Sequence, residues 1–175
     1  AGKSTRFMTP PTRGFRLLRD AVLSLSLTQD FVRPLFHWRT SRAHDHRAST
    51  LNDAGDDDTL FGAVGPGHGA PLPNQRLDDG GFLLDHLCGD TAGHFALIVF
   101  DDRTRETLAP ALQQWKDRGL PLCGLQFGEA VRQRLAGPHA AAAYLVRPDQ
   151  HVCARWIAPA PDRLDAALRA ALGQA

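Results

Sequence analysis

The stretch from Ala140 to Gly173 restricts the fold more than any other part of this chain. Residues 141–146 (AAAYLV) form an unbroken apolar run, suited to a strand buried on both faces and far too short for a membrane span. Arg147-Pro148-Asp149-Gln150 supplies turn chemistry, because proline presets φ and aspartate can accept from its own backbone. The pattern predicts a hairpin. The returning segment alternates, with Val152, Ala154 and Trp156 on one face and His151, Cys153 and Arg155 on the other, so one core-facing side is expected. Pro159 and Pro161 break the strand. Asp162 is the expected cap of a final helix whose Leu164, Leu168 and Leu172 form one stripe ending at Gly173.

Upstream, the elements alternate. Residues 81–87 suit a short helix, 94–100 a strand buried on both sides, and Leu108, Leu112 and Trp115 mark a helix closed by Gly119. A strand over 120–127 and a helix over 129–135 follow. A helix crossing between the Phe95 and Leu122 strands predicts that they pair in parallel. The expectation is an α/β domain over 75–175, a central mixed sheet with helices on both faces, in thioredoxin-like order once a first strand near Gln75–Leu77 is included. It is preceded by a helical segment (1–39) and a Gly/Pro-rich linker (40–74).

Taken together, AYLVRPDQHVCARW, the proline-rich link and LDAALRAALG resemble the tail of FAD-dependent aromatic hydroxylases of the phenol hydroxylase and 3-(3-hydroxyphenyl)propionate hydroxylase type. STRFMTPP with LLRDAVLSLS is similar to the place where the flavin domain of those enzymes runs out toward that tail. The resemblance implies a C-terminal thioredoxin-like domain of an aromatic-ring monooxygenase, an oxidoreductase using FAD and NAD(P)H bound upstream. It further implies a cytoplasmic flavoprotein that is commonly a dimer. This chain would be an inactive piece serving assembly, with no FAD held by its own residues; its start without a methionine is compatible with a piece of something longer and equally with processing. Gln150 departs from the family pattern, which has a turn glycine there.

Charge divides the chain. Residues 1–50 carry nine Lys or Arg against three acids, and residues 51–175 carry eleven against sixteen. A basic arm can signal nucleic acid. Here the arginines alternate with Phe15, Leu17, Leu18, Val22, Leu23, Leu25 and Leu27 on a helix expected over 13–27, which favours docking on protein. Phe15, Leu18, Val22 and Leu25 are therefore the expected interface, against the upstream flavin domain or a second copy. Neither a nucleic-acid nor a membrane partner is expected.

No catalytic, cofactor-binding or metal residue is assigned. A thiol oxidoreductase of this order would carry Cys-x-x-Cys just after the Phe95 strand, where the chain reads Asp101-Asp102-Arg103-Thr104. Cys88, Cys123 and Cys153 are single, widely spaced and expected to be free thiols. His44, Asp45 and His46, with Asp56, Asp57 and Asp58, have metal-ligand chemistry but fall in the linker. His86 and His94 flank Cys88 without an orienting group, and residues 65–69 (GPGHG) lack the context of a phosphate loop. Pro138 stands where thioredoxin-like folds often carry a cis proline. A stand-alone thiol oxidoreductase and a basic-arm nucleic-acid module are the alternative functions.

Overall fold

The computed structural model describes residues 6–32, 44–53, 57–88 and 92–174. The chain divides into two compact units, Ala1–Ala43 and His44–Ala175.

In the first unit, α1 (Arg13–Ser26) begins where the Thr12 hydroxyl accepts the backbone N–H of Phe15 at 3.4 Å, and a single 3₁₀ turn (Asp30–Val32) follows. No residue of α1 is buried. Phe15, Leu18, Val22 and Leu25 recur every three or four residues and so form one stripe along the helix. Leu23 and Leu27 lie on the opposite side, that of Arg13, Arg16 and Asp20, so apolar residues occupy more than one face.

In the second unit, α2 (Asp57–Phe61) and α3 (Asp85–Cys88) precede β1 (Phe95–Val99). Then come α4 (Asp102–Asp117), β2 (Leu122–Gln126) and α5 (Glu129–Leu135), and β3 (Ala142–Val146), β4 (Val152–Ile157) and α6 (Pro161–Ala171) close the chain. The sheet runs β2-β1-β3-β4. The β1/β2 pair is parallel, as the crossover helix requires, and β1/β3 and β3/β4 are antiparallel.

Every side chain of β1 and β3 is buried, so the sheet needs cover on both sides. On one face Phe95, Leu97, Val99, Ala143, Leu145 and Trp156 pack under α4 and α6 through Leu108, Trp115, Leu164 and Leu168. The Trp115 indole N–H donates to Asp165 at 3.0 Å and ties the two helices together. On the other face Ala96, Ile98, Ala142, Tyr144 and Val146 meet Val131 and Leu135 of α5, together with Phe61, Leu72, Leu83 and Leu87 from upstream.

Several elements differ from expectation. Residues 75–77 do not join the sheet: Arg76 forms an isolated bridge to Phe82, and the Leu77 N–H donates to the Gly81 carbonyl at 2.8 Å, closing a local turn. That turn, with Gly80 at φ 90°, delays the following helix to Asp85. The last helix is not capped by Asp162. Pro161 occupies its first turn, which needs no backbone N–H, and Ala160 is the cap position. The alternation expected along β4 is broken by a register shift against Leu145/Val146: Val152 joins the α5 face, Cys153 joins Ala154 and Trp156 under α4 and α6, and Arg155, 2% exposed, is covered by Phe61 and Val64 instead of being solvated. The Asp53 N–H donates to the Cys153 carbonyl, Gly69 to Val152, Val152 back to Ala70 and Leu72 to Gln150, at 2.6–2.9 Å.

The hairpin turn forms as predicted. The Gln150 N–H donates to the Arg147 carbonyl at 2.9 Å, and the Asp149 carboxylate accepts the His151 N–H at 3.2 Å. Gln150 has φ 66°, the left-handed region that favours glycine. The Gln150→Gly variant is expected to be more stable by about 1 kcal/mol, measured as a rise in the chemical-denaturation midpoint at unchanged slope. An unchanged or lower midpoint would show that the glutamine side chain offsets the backbone cost.

Candidate functional site

The place where thiol chemistry would sit is the turn from β1 into α4. Asp101 adopts extended backbone geometry and caps the helix, its carboxylate accepting the Thr104 N–H at 2.7 Å and the Thr104 hydroxyl at 2.9 Å. Asp102 follows in the first turn, bonded to Arg105 at 3.0 Å and to the Gln126 amide at 3.3 Å. The helix start is thus closed by the protein's own carboxylates. All described peptide bonds, that of Pro138 included, are trans.

The described cysteines are structural. Cys153 is fully buried, and burial pushes its thiol up to about 12, so almost none is thiolate at neutral pH. The Cys123 thiol donates to the Phe95 carbonyl at 3.4 Å. The Cys88 side chain lies outside the described residues.

The strand-to-helix turns do not fit a dinucleotide. They place Asp101 and Asp102 at one helix start and Glu129 at the other, where a pyrophosphate would need N–H groups free of competing carboxylates. The glycines of 65–69 have a packing role instead. Gly65 (φ 67°) and Gly69 (φ 77°) lie so close to Leu135 and Tyr144, and to His46 and Arg47, that a Cβ on either would overlap backbone atoms. The Tyr144 hydroxyl donates to the Leu135 carbonyl at this contact.

The imidazoles suggested by sequence are brought together, though not as ligands. The His46 ring centroid lies 5.2 Å from that of His151 and 6.4 Å from that of His44. The two nitrogens of His151 face the backbone carbonyls of Asp149 at 3.0 Å and His44 at 3.2 Å, so the ring fastens the 44–53 segment to the hairpin. Among the described residues no group of three or more His, Cys, Asp or Glu could hold a metal ion. Asp56 and the side chains of Asp57 and Asp58 lie outside them. His86 packs edge-on against Phe127 at 5.5 Å.

Sequence reasoning missed Arg155. Its guanidinium lies 4.4 Å over the Phe61 ring, Nη1 donates to the Val64 carbonyl at 2.6 Å, and burial, with the nearby Arg47 charge, lowers its pKa to about 10. The available signal was Phe61 itself, an isolated aromatic in a polar, glycine-rich stretch. The expected interface residues form the exposed stripe of α1: Phe15, Leu18 and Leu25 are 42%, 58% and 50% exposed, and Val22 is half-buried.

The family described as "Aromatic-ring hydroxylase, C-terminal" matches residues 65–175, and the chain belongs to it. Among solved structures, it is similar to the rebeccamycin biosynthetic enzyme RebC with reduced flavin (23% identity, TM-score 0.60, covering 100% of this chain and 33% of that one). It is also similar to the flavin-dependent monooxygenase PieE in complex with FAD and substrate (21% identity, TM-score 0.58, covering 95% and 31%). The chain thus spans about a third of the length of the structures it matches. Comparison with curated proteins gave no match.

The elevated Cys153 pKa has a consequence for stability. An acid whose folded pKa exceeds its unfolded value of 9.0 stabilises the fold fully below pH 9. That contribution is lost as the pH rises toward about 12, because the unfolded chain releases the proton first. Native protein at pH 8 is expected to leave Cys153 unmodified by iodoacetamide, by peptide mass spectrometry, and denatured protein to alkylate it fully. Rapid native alkylation would mean that the strand opens.

Proposed function

We propose that this chain is the C-terminal, non-catalytic, thioredoxin-like part of a FAD-dependent, NAD(P)H-consuming aromatic-ring monooxygenase, and that its role is assembly. Flavin reduction, oxygen activation and ring hydroxylation would belong to an upstream domain, in a cytoplasmic homodimer. The observation that carries this reading is the start of α4, where a thioredoxin-like order leads one to look for a thiol pair and Asp101 caps the helix instead. Family membership supports it, as do RebC, which is described with reduced flavin, and the flavin-dependent monooxygenase PieE, both about three times as long. The sheet order β2-β1-β3-β4, with helices on both faces, is consistent with the thioredoxin-like assignment.

The apolar stripe of α1 supports the docking half of the proposal. Large apolar side chains along one side of a solvent-exposed helix mark a contact surface. The nucleic-acid alternative is weaker at Arg19, whose charge already pairs with Asp20 at 2.8 Å. Among the described residues no helix is long and apolar enough to cross a membrane.

Two measurements separate the alternatives. Light scattering at micromolar concentration is expected to give a dimer that Leu18→Asp with Leu25→Asp converts to monomer while the circular dichroism of the sheet domain is retained. A wild-type monomer with a protected α1 would count against docking of that stripe. Insulin-disulfide reduction is expected to stay at the uncatalysed rate, and turnover lost on changing the cysteines to serine would restore the thiol-oxidoreductase reading.

A further inference from the structure

The two edges of the sheet are finished differently. The outer edge of β4 carries the 67–72 segment through its backbone bonds, whereas among the described residues none pairs with the outer edge of β2. The direction of the free groups follows from the ladder. The Phe95 N–H donates to the Pro121 carbonyl and the Phe127 N–H to the Val99 carbonyl, so residues 121 and 127 face β1. Alternation along the strand then turns the peptide groups of Leu122, Gly124 and Gln126 outward. An unpaired edge of this kind is a template for another strand.

Beside that edge runs a groove of about 350 Å³ between β2 and α4. Its floor is apolar, from Leu97, Val99 and Leu112, and it reaches Gly124, where an added Cβ would stand 3.2 Å from Leu112 Cδ1 and so intrude on the groove. Arg105 and Lys116 of α4 stand at its two ends. Positions 105, 109, 112 and 116 follow one line of the helix for about 16 Å, the length of a five-residue strand at about 3.3 Å per residue. Arg105 is bonded to Asp102, while Lys116 has no ion pair among the described residues, so the rim carries an excess of positive charge.

We infer that the open edge of β2 receives an extended acidic segment of a separate partner polypeptide, which adds a strand to the sheet, places an apolar side chain in the Gly124 slot and an acidic one against Lys116. Main-chain bonds supply affinity in this mode, and the slot and the cation supply selectivity. A second copy of this chain is the poorer occupant, because pairing β2 with β2 would bring two sets of Arg105 and Lys116 together.

The test uses the 175-residue protein and a synthetic probe, an acetylated and amidated heptapeptide with valine at its second and fourth positions, glutamate at its sixth and threonine between them, so that the valines and the glutamate share the face turned to α4. In nuclear magnetic resonance titrations the amides of Leu122, Gly124 and Gln126 are expected to shift at millimolar peptide or below. Lys116→Glu is expected to weaken binding about fivefold and Gly124→Val, which fills the slot, more than tenfold. A probe N-methylated on alternate residues should lose binding, because it cannot pair with the edge. Unmoved amides at these three positions, or equal binding of the N-methylated probe, would overturn the inference. So would self-association of the wild type that Gly124→Val abolishes, since that would assign the edge to a second copy.

Discussion

The second unit is organised by the burial of β3. Ala142, Ala143, Tyr144, Leu145 and Val146 are each 0% exposed, and β3 is paired on both edges, with β1 and with β4. A strand in that position tolerates no polar side chain and requires a complete layer above and another below. Full burial of a side chain the size of valine or leucine contributes about 1.5–3 kcal/mol, so neither layer is dispensable. The upper layer comes from helices that follow the strands in the ordinary alternating way. The lower layer is only half supplied by α5, and the remainder must come from residues before β1.

That requirement explains why the glycine- and proline-rich region upstream is not loose. Phe61, Leu72, Leu83 and Leu87 complete the lower layer, and Gly65 and Gly69 let the backbone approach closely enough to do so. It also explains Arg155. Once residues 57–64 cross the sheet, a guanidinium on that face of β4 cannot reach bulk water. It is retained because Phe61 offers a ring face and Val64 a carbonyl, which offset part of its desolvation.

How much of this could be read in the sequence depends on whether the signal was local. The hairpin, the strands β1–β3, the helices α4 and α5 and the parallel β1/β2 pair were all legible, because each rests on a short apolar run, a turn residue or a crossover. The left-handed φ of Gln150 was signalled only by the turn glycine that the family has at that place. The second face of β4 was not, since alternation reports polarity and a buried arginine is polar. Nor was the role of residues 44–72, whose contacts with β4 are backbone hydrogen bonds that no side chain announces. The α4 start combines the two cases: absence of cysteine was evident from the letters, whereas the bond from the Asp101 carboxylate to Thr104 emerges only in the folded chain.

This last feature decides how a thiol would behave at the turn from β1 into α4. A reactive thiol at a helix start depends on the positive end of the helix to favour its thiolate. Here that same potential is spent on Asp101, a cap of the kind that stabilises a helix by about 1 kcal/mol, while Asp102 adds a second carboxylate within the first turn. A cysteine introduced at this turn would sit among negative charges, which raise a thiol pKa rather than lower it, and it would remove the cap if it replaced Asp101. Redox activity is therefore not one substitution away. The same two aspartates also set the N-terminal end of α4, and with it the helix layer that buries β1 and β3.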